Sequence, residues 1–294
     1  MKYDKIRIAS LAAVFLIYLF SFFLLYVLFP LIPFENSMLK VLTADIVATI
    51  VVFVFSLIFK NSSIYDPYWS VVPPIIVVFL LGRFSDGNNL RQAIIIFLVL
   101  LWSLRLTLNW IRGWCGLKHE DWRYTLIAKK TGRMYWPVSF LGIHLVPTLF
   151  VYLGCLPLWY SLPQNSPLNI LDIFAAIFTL VAIVTEWKAD EQLIRFRKSN
   201  SNDKFMQSGL WSISRHPNYL GEISFWLGMF LFVLSSSRFQ NYEGLWTGIG
   251  FISMMVLFTF ISIPLMEKRN LSRKPGYDEY VKNVPALIPR FFNK

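Results

Sequence analysis

Charge is what this chain has least of. Asp, Glu, Lys and Arg together make up 15% of its 294 residues, while hydrophobic types reach 56%. So little polar surface cannot coat a water-soluble fold of this length, which excludes a soluble globular protein. Cysteine is scarce too: Cys115 and Cys155 cannot frame a disulfide scaffold and have no metal-ligand spacing. The three histidines, His119, His144 and His216, fall in separate segments, so no metal centre is expected. Neither G-x-G-x-x-G nor G-x-x-x-x-G-K-S/T occurs, so a nucleotide has to be held by helices. No Ser/His/Asp set at local spacing points to acyl transfer. Repeats, low-complexity tracts and flexible linkers are missing as well, and residues 1–294 read as one integral membrane domain.

Apolar runs long enough to cross a bilayer, about 20 residues each, occupy 8–29, 41–59, 93–110, 136–160, 170–187, 219–234 and 245–265. An eighth, 69–81, is short and contains Pro73 and Pro74. The expected fold is all-α, a polytopic transmembrane helical bundle of about eight spans. The first run is too long for a signal-peptide core and lacks a small-residue cleavage site, so it is expected to stay in the mature chain.

Lysine and arginine near span ends collect on the cytoplasmic side. With eight spans and an inward N-terminus, the inner segments take all 28 Lys and Arg except five. Those are Lys40, Arg83, Arg91 and Arg238 in outer loops and Arg105 within a span. Removing one span would scramble that asymmetry, so both termini are expected in the cytoplasm. The net charge of +11 then reflects topology and attraction for anionic headgroups or an anionic cofactor, with no need for nucleic acid.

Ionisable groups in spans are expensive and default to functional roles. Asp66 lies just before the third span, Arg105 and Asn109 near the inner end of the fourth, and His144 inside the fifth. Glu186 ends the sixth, Glu222 begins the seventh and Glu267 follows the eighth. On this topology all belong to the cytoplasmic half, as a polar cavity open to the cytoplasm requires. Asp45 and Asp172 fall toward the outer side and read as structural.

Helix positions three, four or seven apart share a face. Trp102, Arg105, Asn109 and Arg112 therefore form one row. Glu186, Asp190, Leu193 and Arg197 form another if the sixth helix runs on past the bilayer. Two carboxylates one turn apart call for a cation, or for donors such as ribose hydroxyls, between them. Simple neutralisation by Lys188, Arg195 or Arg197 is the competing reading.

The densest polar stretch runs from Gly209-Leu-Trp211 through Ser214-Arg-His-Pro-Asn-Tyr-Leu-Gly-Glu222, directly against an apolar run. Pro217 fits the first position of a helix, and the N–H groups there, with Arg215 and His216 beside them, make an anion site. A phosphate-bearing cofactor is the natural guest. The plainer alternative is an interfacial helix start, with Arg215 on lipid phosphate and Tyr219 at the headgroup level.

Other segments extend the pattern: Trp187-Lys-Ala-Asp190-Glu-Gln192, Arg105-Leu-Thr-Leu-Asn109-Trp-Ile-Arg112-Gly-Trp114, Glu120-Asp-Trp-Arg-Tyr124 and Tyr277-Asp-Glu-Tyr280. Together these residues resemble the membrane steroid 5α-reductase-like family, specifically its bacterial branch of reductase-like proteins. The resemblance covers roughly 60–294. It implies seven spans plus an extra N-terminal one, with N-terminal spans in 1–59 and a reductase-like core in 60–294 whose C-terminal half, 170–294, binds the cofactor. A bacterial inner membrane is the implied location.

The implied reaction is NADPH-dependent reduction of a carbon–carbon double bond conjugated to a ketone in a lipophilic, steroid- or sterol-like substrate. Asp190, Arg197, Asn218, Tyr219 and Glu222 carry over as cofactor contacts, with Arg269 and Tyr280 from the tail. The residue-level reading adds Arg105, Arg112, Glu186, Arg215 and His216. The family uses a Glu and a Tyr to polarise the substrate carbonyl, and the matching positions are Asp66 and Asn109. Asn109, held by Asp66, can donate a hydrogen bond but cannot act as a phenolic acid. Tyr68 and Tyr124 are the hydroxyls that could stand in.

Isoprenylcysteine and phospholipid methyltransferases resemble the same half of the chain and share an Arg-His-Pro-x-Tyr-x-Gly run at a helix start. The alternative is therefore an S-adenosylmethionine-dependent membrane methyltransferase. Adenosylmethionine carries no phosphates, so a dense Arg/Lys lining would be partly idle on it. A lipid transporter or scaffold is a third class, but the inverted repeat many transporters show is not found. The expected partners are the lipid bilayer and a lipophilic small molecule.

Overall fold

The computed structural model describes residues 2–199, 205–237 and 243–289, and no strand occurs among them. Arg238, placed above in an outer loop, lies outside the described residues. In chain order the helices are α1 (Lys2–Leu28), α2 (Ser37–Phe59), α3 (Tyr68–Arg83), α4 (Asn89–Gly113), α5 (Trp122–Thr131), α6 (Tyr135–Ser139) and α7 (Val146–Cys155). They continue with α8 (Leu158–Ser161), α9 (Ile170–Lys198), α10 (Pro217–Ser237), α11 (Ile249–Val256), α12 (Ile263–Arg273) and α13 (Tyr277–Asn283). Eight stretches among the described residues are long and apolar enough to cross a membrane, from Lys5–Leu31 to Leu245–Arg273. The protein is an all-α, polytopic membrane helical bundle.

The eighth run is a full span despite its prolines. Pro74 has no N–H to give the carbonyl of Ser70 four residues earlier. Ser103 Oγ donates to that carbonyl instead, at 2.6 Å, so the missing donor is replaced from a neighbouring helix, as hydrocarbon surroundings demand. Side chains settle the helix starts: Asn36 accepts from the N–H groups of Met38 and Leu39, and Asn169 with Asp172 closes a capping box on α9.

The chain divides into two compact units, the first made of Met1–Arg83 and Trp102–Trp159, the second of Phe84–Leu101 and Tyr160–Lys294. In the first, α1 packs on α2, and α7 packs on α2 and α3. Hydroxyls hold these helices together: Thr148 Oγ1 lies 2.7 Å from Thr49 Oγ1 and 2.6 Å from the Tyr65 hydroxyl. His144, fully buried in a π-helical stretch (Phe140–Leu145), spends both ring nitrogens on the fold, at 3.0 Å from the Ser139 carbonyl and 3.1 Å from Ser56 Oγ. That committed ring is a packing element.

In the second unit the dominant packing is α9 against α10. Two glycines two turns apart on α10 make it possible. A Cβ on Gly221 would stand 2.6 Å from Glu186 Cβ and 2.9 Å from the Ala182 carbonyl, and one on Gly228 would stand 2.0 Å from Thr179 Oγ1. Small residues on one stripe let helix backbones approach where lipid offers no hydrophobic drive. Gly221→Ala should therefore destabilise the protein by about 1–3 kcal/mol, the cost of overpacking. A thermal-unfolding midpoint in detergent unchanged from wild type would contradict that close contact.

Candidate functional site

The close α9–α10 approach fixes what faces what. The sixth span does not stop at 187 but continues as one helix to Lys198, so Glu186, Asp190 and Arg197 lie on one face of a single rod. Opposite, α10 opens at Pro217 and presents Asn218 and Glu222. Asn218 Nδ2 donates to Asp190 Oδ1 at 3.3 Å, and Trp226 Nε1 donates to Glu222 Oε1 at 3.0 Å. Glu186 and Glu222 are 4% and 3% exposed. Four polar groups thus converge within a membrane helix pair, where buried carboxylates demand partners. Asn218 Oδ1 is buried and has no hydrogen-bond partner among the described residues. It is an acceptor in want of a donor.

The far end of the same helix face carries the opposite sign. Burial and the nearby guanidinium groups of Arg197 and Arg269 hold the Lys274 ammonium below its usual value. Arg197, Arg269 and Lys274 thus gather positive charge at this end of α9. Arg197, in the last turn of α9, is exposed and reachable. From Glu186 to Arg197 the axial rise is about 16 Å. Lys274 was missed in the sequence because a basic run after a span also serves topology.

Arg215 and His216 are deployed differently from the anion pair expected of them. Arg215 Nε donates to Glu267 Oε1 at 2.7 Å, and its guanidinium also donates to the carbonyls of Val281 and Val284. His216 Nε2 lies 3.2 Å from the same Glu267 oxygen. Even the backbone N–H groups ahead of α10 are taken, by the Pro285 and Ala286 carbonyls at 2.9 and 3.1 Å. These residues clamp the C-terminal segment onto the start of α10. Tyr280 belongs to the same clamp: its hydroxyl donates to the Trp211 carbonyl, and its ring packs with Phe205 and Tyr277. Tyr219 stacks on the His216 ring at 5.3 Å, the planes 5° apart. The pattern left no signal for this, because a tail carbonyl 69 residues away in sequence has no local signature.

In the first unit the Tyr124 hydroxyl donates to Asp66 Oδ1 at 2.5 Å. The chain builds this contact with care. Lys60 ends α2 in a left-handed conformation, with φ at 51°, and turns the chain into 61–66. Glu120 Oε1 accepts from the Ser62 N–H at 2.8 Å and from the Tyr135 hydroxyl at 2.9 Å. The Asp121 N–H donates to Ser63 Oγ at 2.9 Å, and Asp121 caps α5. The Glu120–Asp121 pair therefore pins the loop on the 61–66 turn and delivers Tyr124 to Asp66. Arg105 and Asn109 are half-buried on α4 and Arg112 is exposed near its end. Among the described residues no group of His, Cys, Asp and Glu could hold a metal ion.

Residues 52–284 match DUF1295, described as a protein of unknown function, and the chain belongs to that family. It is also similar to an uncharacterised protein of Schizosaccharomyces pombe, 27% identical over 258 residues that cover 79% of this chain and 73% of that protein. No solved structure matches.

Proposed function

We propose that the protein is a membrane reductase that uses a phosphate-bearing nicotinamide dinucleotide, NADPH, to reduce the double bond of a lipophilic enone of steroid- or sterol-like type. The observation that carries this reading is the change of sign along one face of α9. Ribose hydroxyls are donors and suit Asp190, Glu186 and the unpartnered Asn218 Oδ1, whereas phosphates suit Arg197, Arg269 and Lys274. Adenosylmethionine would satisfy the acids but leave the cations idle. Bound NADPH would supply the hydride.

The chain's own task is to stabilise charge that develops on the substrate carbonyl oxygen as hydride adds at the β-carbon. Asp66 and Tyr124 fit it. With a proton on Asp66 donated to the Tyr124 oxygen, the phenol is turned to give its own proton to the enolate oxygen. The enol then takes a proton from water at its α-carbon and releases its hydroxyl proton to water as the ketone re-forms, and the proton that Asp66 passed to Tyr124 is replaced from solvent. Tyr124 so fills the role that Asn109 cannot. Arg215, His216 and Tyr280 shape the start of α10 instead of touching the cofactor. In this reading the α9 end at Lys198 and both termini face the cytoplasm, where the dinucleotide is found.

A thermal-shift series on the protein in lipid nanodiscs with NADPH, NADH and adenosylmethionine tests the reading. NADPH should stabilise it by about 2.7 kcal/mol at a hundredfold excess over Kd. Stabilisation by adenosylmethionine alone would overturn it in favour of a methyltransferase. Arg197→Glu should weaken NADPH binding about 10- to 100-fold, the worth of a charged hydrogen bond. Unchanged affinity in that variant removes Arg197 from the site.

A further inference from the structure

The first unit contains a second feature, independent of the reductase reading. A cavity of about 600 Å³ lies among α1, α2, α3 and the turn after α1, walled by Phe22, Leu25, Phe29, Val41 and Ile76, with Asp45 and Tyr68 in its lining. That volume suits a lipid-sized or drug-sized molecule. Tyr26 and Val27 on its rim are 79% and 51% exposed, so it is entered from the surface that meets acyl chains.

An apolar cavity at this surface could simply hold lipid tails, but Asp45 argues for a more particular guest. Its side chain is 4% exposed. The Tyr68 hydroxyl donates to Oδ1 at 2.6 Å. Oδ2 is buried with no partner among the described residues. A hydrocarbon chain in the cavity would leave that oxygen dry and unsatisfied, at a cost of several kcal/mol for a charged carboxylate. A hydroxyl satisfies it in either protonation state, because an alcohol donates to a carboxylate and accepts from a carboxylic acid. The wall beside Asp45 is aromatic, with Phe22 stacked on Tyr68 at 6.4 Å.

We infer that this cavity binds a lipid-soluble alcohol, its hydroxyl on Asp45 Oδ2 and its apolar body between α1, α2 and α3. The test is photo-crosslinking of the full-length protein in phosphatidylcholine nanodiscs with two probes, a diazirine-bearing hexadecanol and the matching hexadecane. Labelled peptides are mapped by mass spectrometry. The alcohol should label α1–α3 peptides at least tenfold more than the hydrocarbon, and Asp45→Leu should bring the two together. Ile75→Trp at the rim, where Ile75 is 39% exposed, should reduce alcohol labelling while leaving the core untouched. Equal labelling by both probes in the wild-type protein marks a plain lipid crevice and overturns the inference, whether or not Asp45→Leu folds. So does alcohol labelling that survives in a folded Asp45→Leu.

Discussion

Replacing Arg91 with alanine should cost the protein about 3–5 kcal/mol of stability, the usual price of leaving a buried ion without its partner. Arg91 and Asp172 are both 0% exposed in their side chains, with Nε 2.8 Å from Oδ1 and Nη2 3.0 Å from Oδ2. The two parallel bonds make a bidentate pair. Arg91 also donates from Nη1 to the carbonyls of Gln164 and Ser166, at 3.0 and 3.2 Å. Asp172 meanwhile accepts from the Asn169 N–H at 2.9 Å, closing the cap of α9. Alanine therefore strands a carboxylate and two carbonyls at once. A fall in the unfolding midpoint on the order of 10 °C is expected in detergent. The double variant Arg91→Met with Asp172→Asn should recover most of the loss, since it removes both charges. A loss under 1 kcal/mol in Arg91→Ala would mean that the pair is solvated.

Tyr124→Phe should lower turnover of a 4-en-3-one steroid by about 10²–10³, the usual effect of deleting one donor to a developing oxyanion. NADPH affinity should stay within twofold, because on the proposed reading the phenol meets the substrate carbonyl while Asp190, Asn218 and Arg197 meet the cofactor. The fold should survive the change: what is lost is one hydroxyl, while Glu120 and Asp121 still pin the loop on Ser62 and Ser63. Asp66→Asn should act in the same direction, since an amide cannot refill the phenol with a proton. Steady-state NADPH oxidation with that steroid, beside direct NADPH titration, separates the outcomes. Turnover retained in Tyr124→Phe would return the role to Asn109. Parallel losses of turnover and NADPH affinity would point to misfolding.

The contrast between Arg91 and Asp190 shows what a sequence of this kind discloses. Arg91 was one positive charge among several in outer loops, and Asp172 one acid at the wrong end of a span. Nothing local ties position 91 to position 172. Asp190 and Arg197, by contrast, sit two turns apart on one helix, so their shared face followed from the 3.6-residue repeat once α9 proved continuous. His144 misled for a related reason: a histidine within a span looks the same in sequence whether its nitrogens wait for a ligand or, as here, bond to Ser139 and Ser56. The Asp66 partner stayed open because 58 residues separate Tyr124 from it.

Composition and hydrophobic run length by themselves determined the class of protein, its eight spans and the helix face that bears Glu186, Asp190 and Arg197. The physics behind those properties is local: bilayer thickness dictates the length of an apolar run, and helical pitch dictates which side chains align. Only the tertiary structure decided that Arg91 meets Asp172, that Arg215 and His216 hold Glu267, that Lys274 joins Arg197 and Arg269, and that Tyr124 reaches Asp66. Those pairings depend on how closely particular helices approach, which at Gly221 turns on the absence of one methyl group, and contacts between distant positions leave no period to read.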